Sequence, residues 1–320
     1  MSFVFWSFKF MICLGFSVLY LFWAITSSAI AQGQAGTDIA ILNAGVGARA
    51  LGMGSAFTAI ADNADAPYWN PAGLGQVTSN EITTMQTRLS TDADHYYISY
   101  VRPALGGTLG ISWIQVGLGS INQTSAEVDI NNEVQNLSIF SYFSNAYLLS
   151  YGKNLNEHIS VGLTGKYLTS DMAGVSGGQG SGYSVTPGLL IRLSSIVSRP
   201  SSIVTIGLKL DDALNQQQWG TGTIEKVPPK LRLGLAYHSP NPGTFAVDVS
   251  QTMKSNYSPD ISAGYEWTDK FLSFRVGYAG SGLTAGAGFA INQARVDYAY
   301  VNNRELSSSN VHRISLSGVW

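Results

Sequence analysis

Charge is scarce in this 320-residue chain: Asp, Glu, Lys and Arg together make up 12%, where ordinary globular chains carry roughly a quarter. A soluble protein of this size needs more charge to cover itself, so part of the surface is expected not to face water. Cysteine is almost missing too. Cys13 is the only one; it sits near the start of an apolar run, whereas a lipid-anchored cysteine belongs near the end of such a run. A chain that lost this segment would have neither a disulfide nor thiol chemistry. The net charge of -2, or -3 without a leader whose sole charge is Lys9, excludes a general polyanion binder. No basic arm, basic helix or aromatic RNA-binding motif supports nucleic-acid recognition. His95, His158, His238 and His312 are dispersed, without the short spacing of a common zinc site, and read as surface or lumen groups. Serines and aspartates occur without an assembled nucleophile and base relay. No catalytic, cofactor-binding or metal residue is therefore assigned, and an enzyme is not expected.

Long apolar runs are confined to the start. Lys9 precedes the run Phe10 to Ile25, and the small-residue pattern Ala29-Ile30-Ala31 comes just before Gln32. This is the layout of a signal peptide over residues 1–31, although so long a run with one charge is also compatible with an uncleaved helix. After Gln32 no run approaches the roughly 20 apolar residues of a membrane-crossing helix. Membrane association beyond that point has to be peripheral or made by strands.

What the chain does have, from Glu81 to Trp320, is period two. In "KLRLGLAYH", Leu231, Leu233, Leu235 and Tyr237 fall on one side and Arg232, Gly234, Ala236 and His238 on the other, which specifies a strand. The same division recurs around Val161, Val247, Phe274 and Tyr298: large apolar groups on one face, glycine, hydroxyls and isolated charges on the other. A soluble sandwich buries the apolar faces together; a membrane barrel turns them to lipid and lines its interior with the polar ones. Low charge favours the barrel, whose crowded lumen suits the small residues. Fourteen strands are expected, over 81–89, 94–102, 107–116, 136–151, 157–170, 180–193, 202–210, 229–239, 243–252, 260–267, 270–279, 283–290, 294–302 and 311–320. An even number allows antiparallel closure, which satisfies every backbone edge in lipid. Lys166, Arg192, Lys209, Arg232, Asp248, Glu266, Arg275, Arg295 and Asp297 should then face inward, either as networks of opposite charge or as isolated groups that orient a carboxylate ligand. Short connections such as His238–Gly243 and Trp267–Lys270 alternate with longer ones. The longest polar connections, Val116–Val134 and Asp211–Val227, are expected on the extracellular side.

Residues 32–80 break the pattern. Ala48, Leu51, Ala56 and Ile60 suggest short helical turns, and "DNADAPYWNPAGL" is turn-rich, with Pro67 and Pro71 preventing one continuous helix. Gly52 and Gly54 do not reproduce dinucleotide or phosphate-loop spacing, so they are read as sites of tight packing or unusual dihedrals. The segment is expected to form a compact hatch or plug before the barrel of residues 81–320. Tyr68 and Trp69 either pack its buried turn or line a pocket.

The stretch "GARALGMGSAFTAIADNADAPYWNPAGL" resembles the N-terminal motif of the PorV/PorQ family, within the FadL-like long-chain fatty-acid transporter barrels; "VDYAYVNNRELSSSNVHRISLSGVW" resembles that family's last two strands. The resemblance covers about residues 40 to 320. It implies an all-β fold, a 14-stranded antiparallel transmembrane barrel with a small N-terminal hatch shaped or anchored by Gly47, Arg49, Gly52, Gly54, Asp62, Asp65, Asn70 and Pro71. The aromatic end, Trp320, resembles a barrel insertion signal, and it also suits an interfacial anchor. The implied location is the bacterial outer membrane, with lipid and the barrel assembly machinery as partners. Two functions follow from the resemblance: uptake or capture of a hydrophobic small-molecule ligand, and service as a type IX secretion accessory or cargo shuttle that meets secretion-system proteins.

Overall fold

The computed structural model describes residues 40–89, 93–128, 133–193, 202–239, 243–255, 257–280, 282–302 and 310–320; the leader expected over 1–31 and the first hatch residues lie outside them. The strands are β1 (Glu81–Arg88), β2 (Asp94–Ala104), β3 (Gly107–Val128), β4 (Val134–Asn154), β5 (Ile159–Ala173), β6 (Gln179–Leu193), β7 (Ile203–Asp211), β8 (Leu214–Trp219), β9 (Ile224–Glu225), β10 (Lys230–His238), β11 (Thr244–Thr252), β12 (Asp260–Asp269), β13 (Leu272–Ala279), β14 (Gly282–Ile291), β15 (Ala294–Val301) and β16 (Val311–Val319). Every strand except β8 and β9 hydrogen-bonds antiparallel to its neighbours in one ring, closed between β1 and β16 and between β6 and β7. This is the expected 14-stranded barrel. Among the described residues no helix is long and apolar enough to cross a membrane.

The alternation decides which face is which. On β13 Phe274, Val276 and Tyr278 are about half exposed while Ser273 and Arg275 are buried, and on β16 Ile314 and Leu316 are exposed while Arg313 and Ser315 are buried. The outside is thus apolar and the inside polar, the arrangement that lipid requires of a barrel. All nine charges expected inward lie on lumen-facing positions of their strands.

Two expectations are corrected. Val116–Val134 and Asp211–Val227 are not simply long polar loops. Among the described residues, β3 beyond Gly117 and β4 before Ser141 pair only with each other, forming a ribbon above the rim. At 22 and 21 residues these strands are about twice the 9–11 residues that cross a bilayer. Among the described side chains of the ribbon, Leu137 and Ile139 are exposed on one face and Gln123 and Ser138 on the other, so both faces meet water. The second stretch contains the hairpin β8–β9, in which β8 pairs with the upper half of β6, from Gly180 to Val185. Both features sit at the barrel end opposite Glu81 and Trp320, called the upper end below.

Residues 40–80 occupy the lumen. They form helical turns at Ala40–Asn43, Ala48–Gly52 and Ala66–Trp69 and a 3-10 turn at Pro71–Gln76, and their contacts run around the whole wall. Tyr97 on β2 donates to Ala64 O, Thr164 on β5 to Pro67 O, Lys209 on β7 to Tyr68 O and Thr284 on β14 to Gly52 O; Ala48 N donates to Ser315 Oγ on β16. A segment that touches opposite walls at once can only lie between them. Lumen-facing glycines let it fit. An added Cβ would stand 2.2 Å from Pro71 C at Gly162, 2.3 Å from Thr58 O at Gly207, 2.3 Å from Met53 O at Gly264 and 2.2 Å from Gly54 N at Gly277. Backbone therefore packs on backbone, closer than any side chain would allow. The buried cluster centres on this segment, with Val46, Met53, Phe57 and Leu74 inaccessible to solvent.

Candidate functional site

Three charged or polar layers hold the segment. In the lower layer, Arg49 forms a two-pronged pair with Glu266, Nε to Oε2 at 2.9 Å and Nη2 to Oε1 at 2.8 Å, and reaches Asp62 Oδ1 at 2.5 Å. Arg275 joins the same carboxylate at 2.5 Å. It also lies 2.8 Å from Asp297, which Arg295 approaches to 2.9 Å; these two contacts are at ion-pair distance but are not aligned as hydrogen bonds. In the middle layer, Asp248 Oδ2 accepts the N–H groups of Phe57 (3.0 Å) and Thr58 (2.9 Å). In the upper layer, Asp211 binds Lys209 and Arg232, each at 2.6 Å, while Asp212 binds Lys166 at 2.9 Å. Sequence left open whether inward charges pair or wait for a ligand; seven of the nine form ion pairs, while Asp248 accepts backbone N–H groups and Arg192 donates to Asn154 Oδ1 and Ser160 Oγ.

The residues singled out in the segment fall into this scaffold. Gly47 has φ 75°, and a Cβ there would stand 2.3 Å from Asp65 Oδ2. Gly52 meets the Cα of Gly286 at 3.2 Å from its ideal Cβ, and Gly54, at φ 65°, faces backbone atoms of Tyr278 and Ala263. Asn70 accepts from Ala72 N and donates to Thr58 O, while Pro71 opens the 3-10 turn against Gly162. Asp65 accepts from Asn63 Nδ2 at 3.1 Å. Burial pushes its carboxyl up to about 6, an effect that the hydrogen bond from Asn63 opposes and nearby Asp297 reinforces. Tyr68 and Trp69 pack on each other edge to face, with centroids 5.0 Å apart, and cap the carbonyls of Leu42 and Val46. They therefore belong to the segment's own core, and neither lines the cavity above it, although Tyr68 also borders a small space beside Lys209 and Arg232. Trp320 stacks on Tyr100 and exchanges backbone hydrogen bonds with Asn80 at the lower rim.

The histidines scatter as well. His158 and His238 lie at strand ends and His312 faces outward, bonded to Tyr298 OH. His95 is fully buried on the lumen face of β2, with both ring nitrogens unpartnered among the described residues. No group of His, Cys, Asp or Glu among the described residues could hold a metal ion.

Above the segment lies a cavity of about 310 Å³, bounded by Ile41, by the upper ends of β4 and β5, and by the hairpin β8–β9. Leu168, Met172 and Val227 give it apolar walls, and the Trp219 ring lies over Gly180. A polar file runs down one side: Gln217 Nε2 donates to Ser170 Oγ at 3.2 Å, and Ser170 and Ser144 hydroxyls meet at 3.2 Å. Asn215 fastens the hairpin, bonding both N–H and C=O of Val227, and Glu225 accepts from Trp219 Nε1 at 3.1 Å. These hairpin residues escaped sequence reasoning because they sit in a stretch without periodicity; the isolated Trp219 in "NQQQW" was the available signal. A second cavity, of about 220 Å³, opens at the lower end between Arg49, Asp62, Asp65, Glu81, Arg295 and Asp297.

No protein-family model matches the sequence, and no curated protein matches it. Solved structures match the fold. The toluene transporter TodX of Pseudomonas putida superposes with a TM-score of 0.57 at 12% identity, covering 86% of this chain and 99% of that one. The toluene transporter TbuX of Ralstonia pickettii gives 0.53 at 12% identity, covering 86% and 98%, and a FadL homologue of Pseudomonas aeruginosa gives 0.50 at 10% identity, covering 85% and 97%. At such identities the likeness is one of fold: the closed, 14-stranded antiparallel barrel of this chain superposes on the structures of these two toluene transporters and the FadL homologue.

Proposed function

We propose that this chain is an outer-membrane barrel that takes up or captures hydrophobic small molecules. The observation that carries the reading is the combination inside the lumen: a barrel filled by its own N-terminal segment, with a partly apolar cavity of about 310 Å³ directly above it. A segment fixed at every layer works as a hatch that denies water and ions a continuous path. The cavity, near the lower end of the roughly 300–1,000 Å³ range of small-molecule pockets, lets an apolar ligand leave water before it meets the hatch. Burial contributes roughly 0.8 kcal/mol per CH₂, so such a ligand needs no fuel to move down its gradient. The names of the similarly folded proteins, toluene transporters and a FadL homologue, support this choice. The motifs at Gly47–Leu74 and Val296–Trp320 support the narrower placement in the PorV/PorQ branch, with Gly47, Arg49, Asp62, Asn70 and Pro71 anchoring the hatch and Trp320 serving insertion.

The test is accumulation of radiolabelled toluene by cells that display the protein in the outer membrane. Protein-dependent accumulation is expected. Accumulation no greater than in cells lacking the protein, with the barrel folded and inserted, would refute the reading.

A type IX secretion accessory is the competing class, and the ribbon of β3 and β4 favours it, since among the described residues its outer edges pair with no other strand. Shortening the ribbon by removing residues 119–139 separates the two: loss of cargo export with toluene accumulation intact would select the secretion role.

A further inference from the structure

Resting on the uptake reading, we infer that the upper cavity selects small neutral molecules that carry one hydrogen-bonding group, such as alkylphenols, over both pure hydrocarbons and carboxylates. Three observations converge on this. The cations of the layer below the cavity are already engaged, Lys166 by Asp212, Lys209 and Arg232 by Asp211, and Lys230 by Asp260 at 3.6 Å, and Lys226, between Glu225 and Val227, is exposed and is not among the lining side chains. The charged side chain that does line the cavity is acidic, Glu225. A carboxylate entering there would meet a like charge and no cationic side chain among the lining residues, so desolvating it is uncompensated.

A pure hydrocarbon leaves different groups unmet. Tyr142 lines the cavity and its hydroxyl makes no hydrogen bond among the described residues, and Gln217 uses its amide N–H on Ser170 while its carbonyl oxygen accepts from none of them. A hydroxyl can accept from the first or donate to the second, whereas a methyl group can do neither. The remaining walls, Ile41, Leu168, Met172, Val227 and the Trp219 ring, suit an aromatic or short aliphatic body. The cavity volume of about 310 Å³ confines the ligand to small size.

The experiment compares three ligands of one shape, toluene, p-cresol and p-toluate, binding to the purified full-length barrel in detergent, read by calorimetry and by quenching of tryptophan fluorescence. With at least one neutral hydrogen bond at stake, p-cresol should bind about tenfold more tightly than toluene, and p-toluate should bind no better than toluene. The double variant Tyr142→Phe with Gln217→Leu should abolish the difference in affinity between p-cresol and toluene. Equal affinities for p-cresol and toluene, tightest binding by p-toluate, or a p-cresol preference that survives the double variant would each overturn the selectivity while leaving the uptake reading in place. If none of the three binds to a folded barrel, both readings fall.

Discussion

Replacing Gly54 with alanine should loosen the segment inside the lumen without opening the barrel wall. Gly54 adopts φ 65°, and its Cβ would stand 2.5 Å from Tyr278 O, 2.6 Å from Tyr278 N and 2.7 Å from Ala263 O. All three neighbours are backbone atoms of β12 and β13. They cannot retreat, because Ala263 and Tyr278 face each other in the hydrogen-bonded ladder of these strands. The left-handed conformation costs an alanine about 1 kcal/mol, and overpacking against fixed neighbours adds about 1–3 kcal/mol. Each 1.4 kcal/mol is a factor of ten in an equilibrium, so the undocked fraction should rise at least tenfold. Single-channel recording in planar bilayers reads this directly: the native protein should stay nearly closed, and Gly54→Ala should show frequent open steps. Gly106→Ala is the control, since Gly106 has a similar φ of 72° but nothing within 4 Å of its ideal Cβ. If Gly54→Ala and Gly106→Ala, both folded and inserted, are equally closed, backbone contact at Gly54 is not what seats the segment.

The other layers give further tests. Arg49→Ala strips Glu266 and Asp62 of a shared partner; breaking a buried pair costs about 3–5 kcal/mol, so limited proteolysis should cut residues 40–80 faster, with Arg49→Lys intermediate because the two-pronged geometry is lost. Asp248→Ala leaves the N–H groups of Phe57 and Thr58 unpaired, a loss of about 1–3 kcal/mol for each, whereas Asp248→Asn keeps an acceptor and should retain most of the protease resistance; equal sensitivity of the two variants would argue against the hydrogen-bonding role. Asp65 supplies a pH dependence. Its carboxyl sits near about 6 in the folded chain against 3.8 when free, so protonation favours the folded state, and this contribution, about 3 kcal/mol, is complete below pH 3.8 and lost as pH rises through about 6. The melting temperature in detergent should therefore fall between pH 4.5 and 7, and Asp65→Asn should make the change smaller; a profile unaltered by the substitution would assign it to other groups.

Period two could be read from residues alone because a strand places successive side chains on opposite faces whatever it pairs with. Leu231, Leu233 and Leu235 against Arg232, Gly234 and Ala236 therefore fixed a strand and its two environments. Scarce charge indicated which environment was lipid. The break at residues 32–80 was equally legible, since Pro67 and Pro71 interrupt any regular element. The fate of polar stretches was not legible. A ribbon such as the outer halves of β3 and β4, or the hairpin β8–β9, is held by backbone hydrogen bonds that leave no signature in side-chain polarity when both faces are wet. Nor could sequence choose partners for the inward charges. Arg49 meets Glu266 across 217 residues, and Phe57 meets Asp248 across 191. Such pairings depend on strand register, barrel closure and the depth at which the segment seats. The upper cavity depends on them most, because its walls come from Ile41, β4, β5 and the hairpin, which meet only after the barrel has closed around its own N-terminal segment.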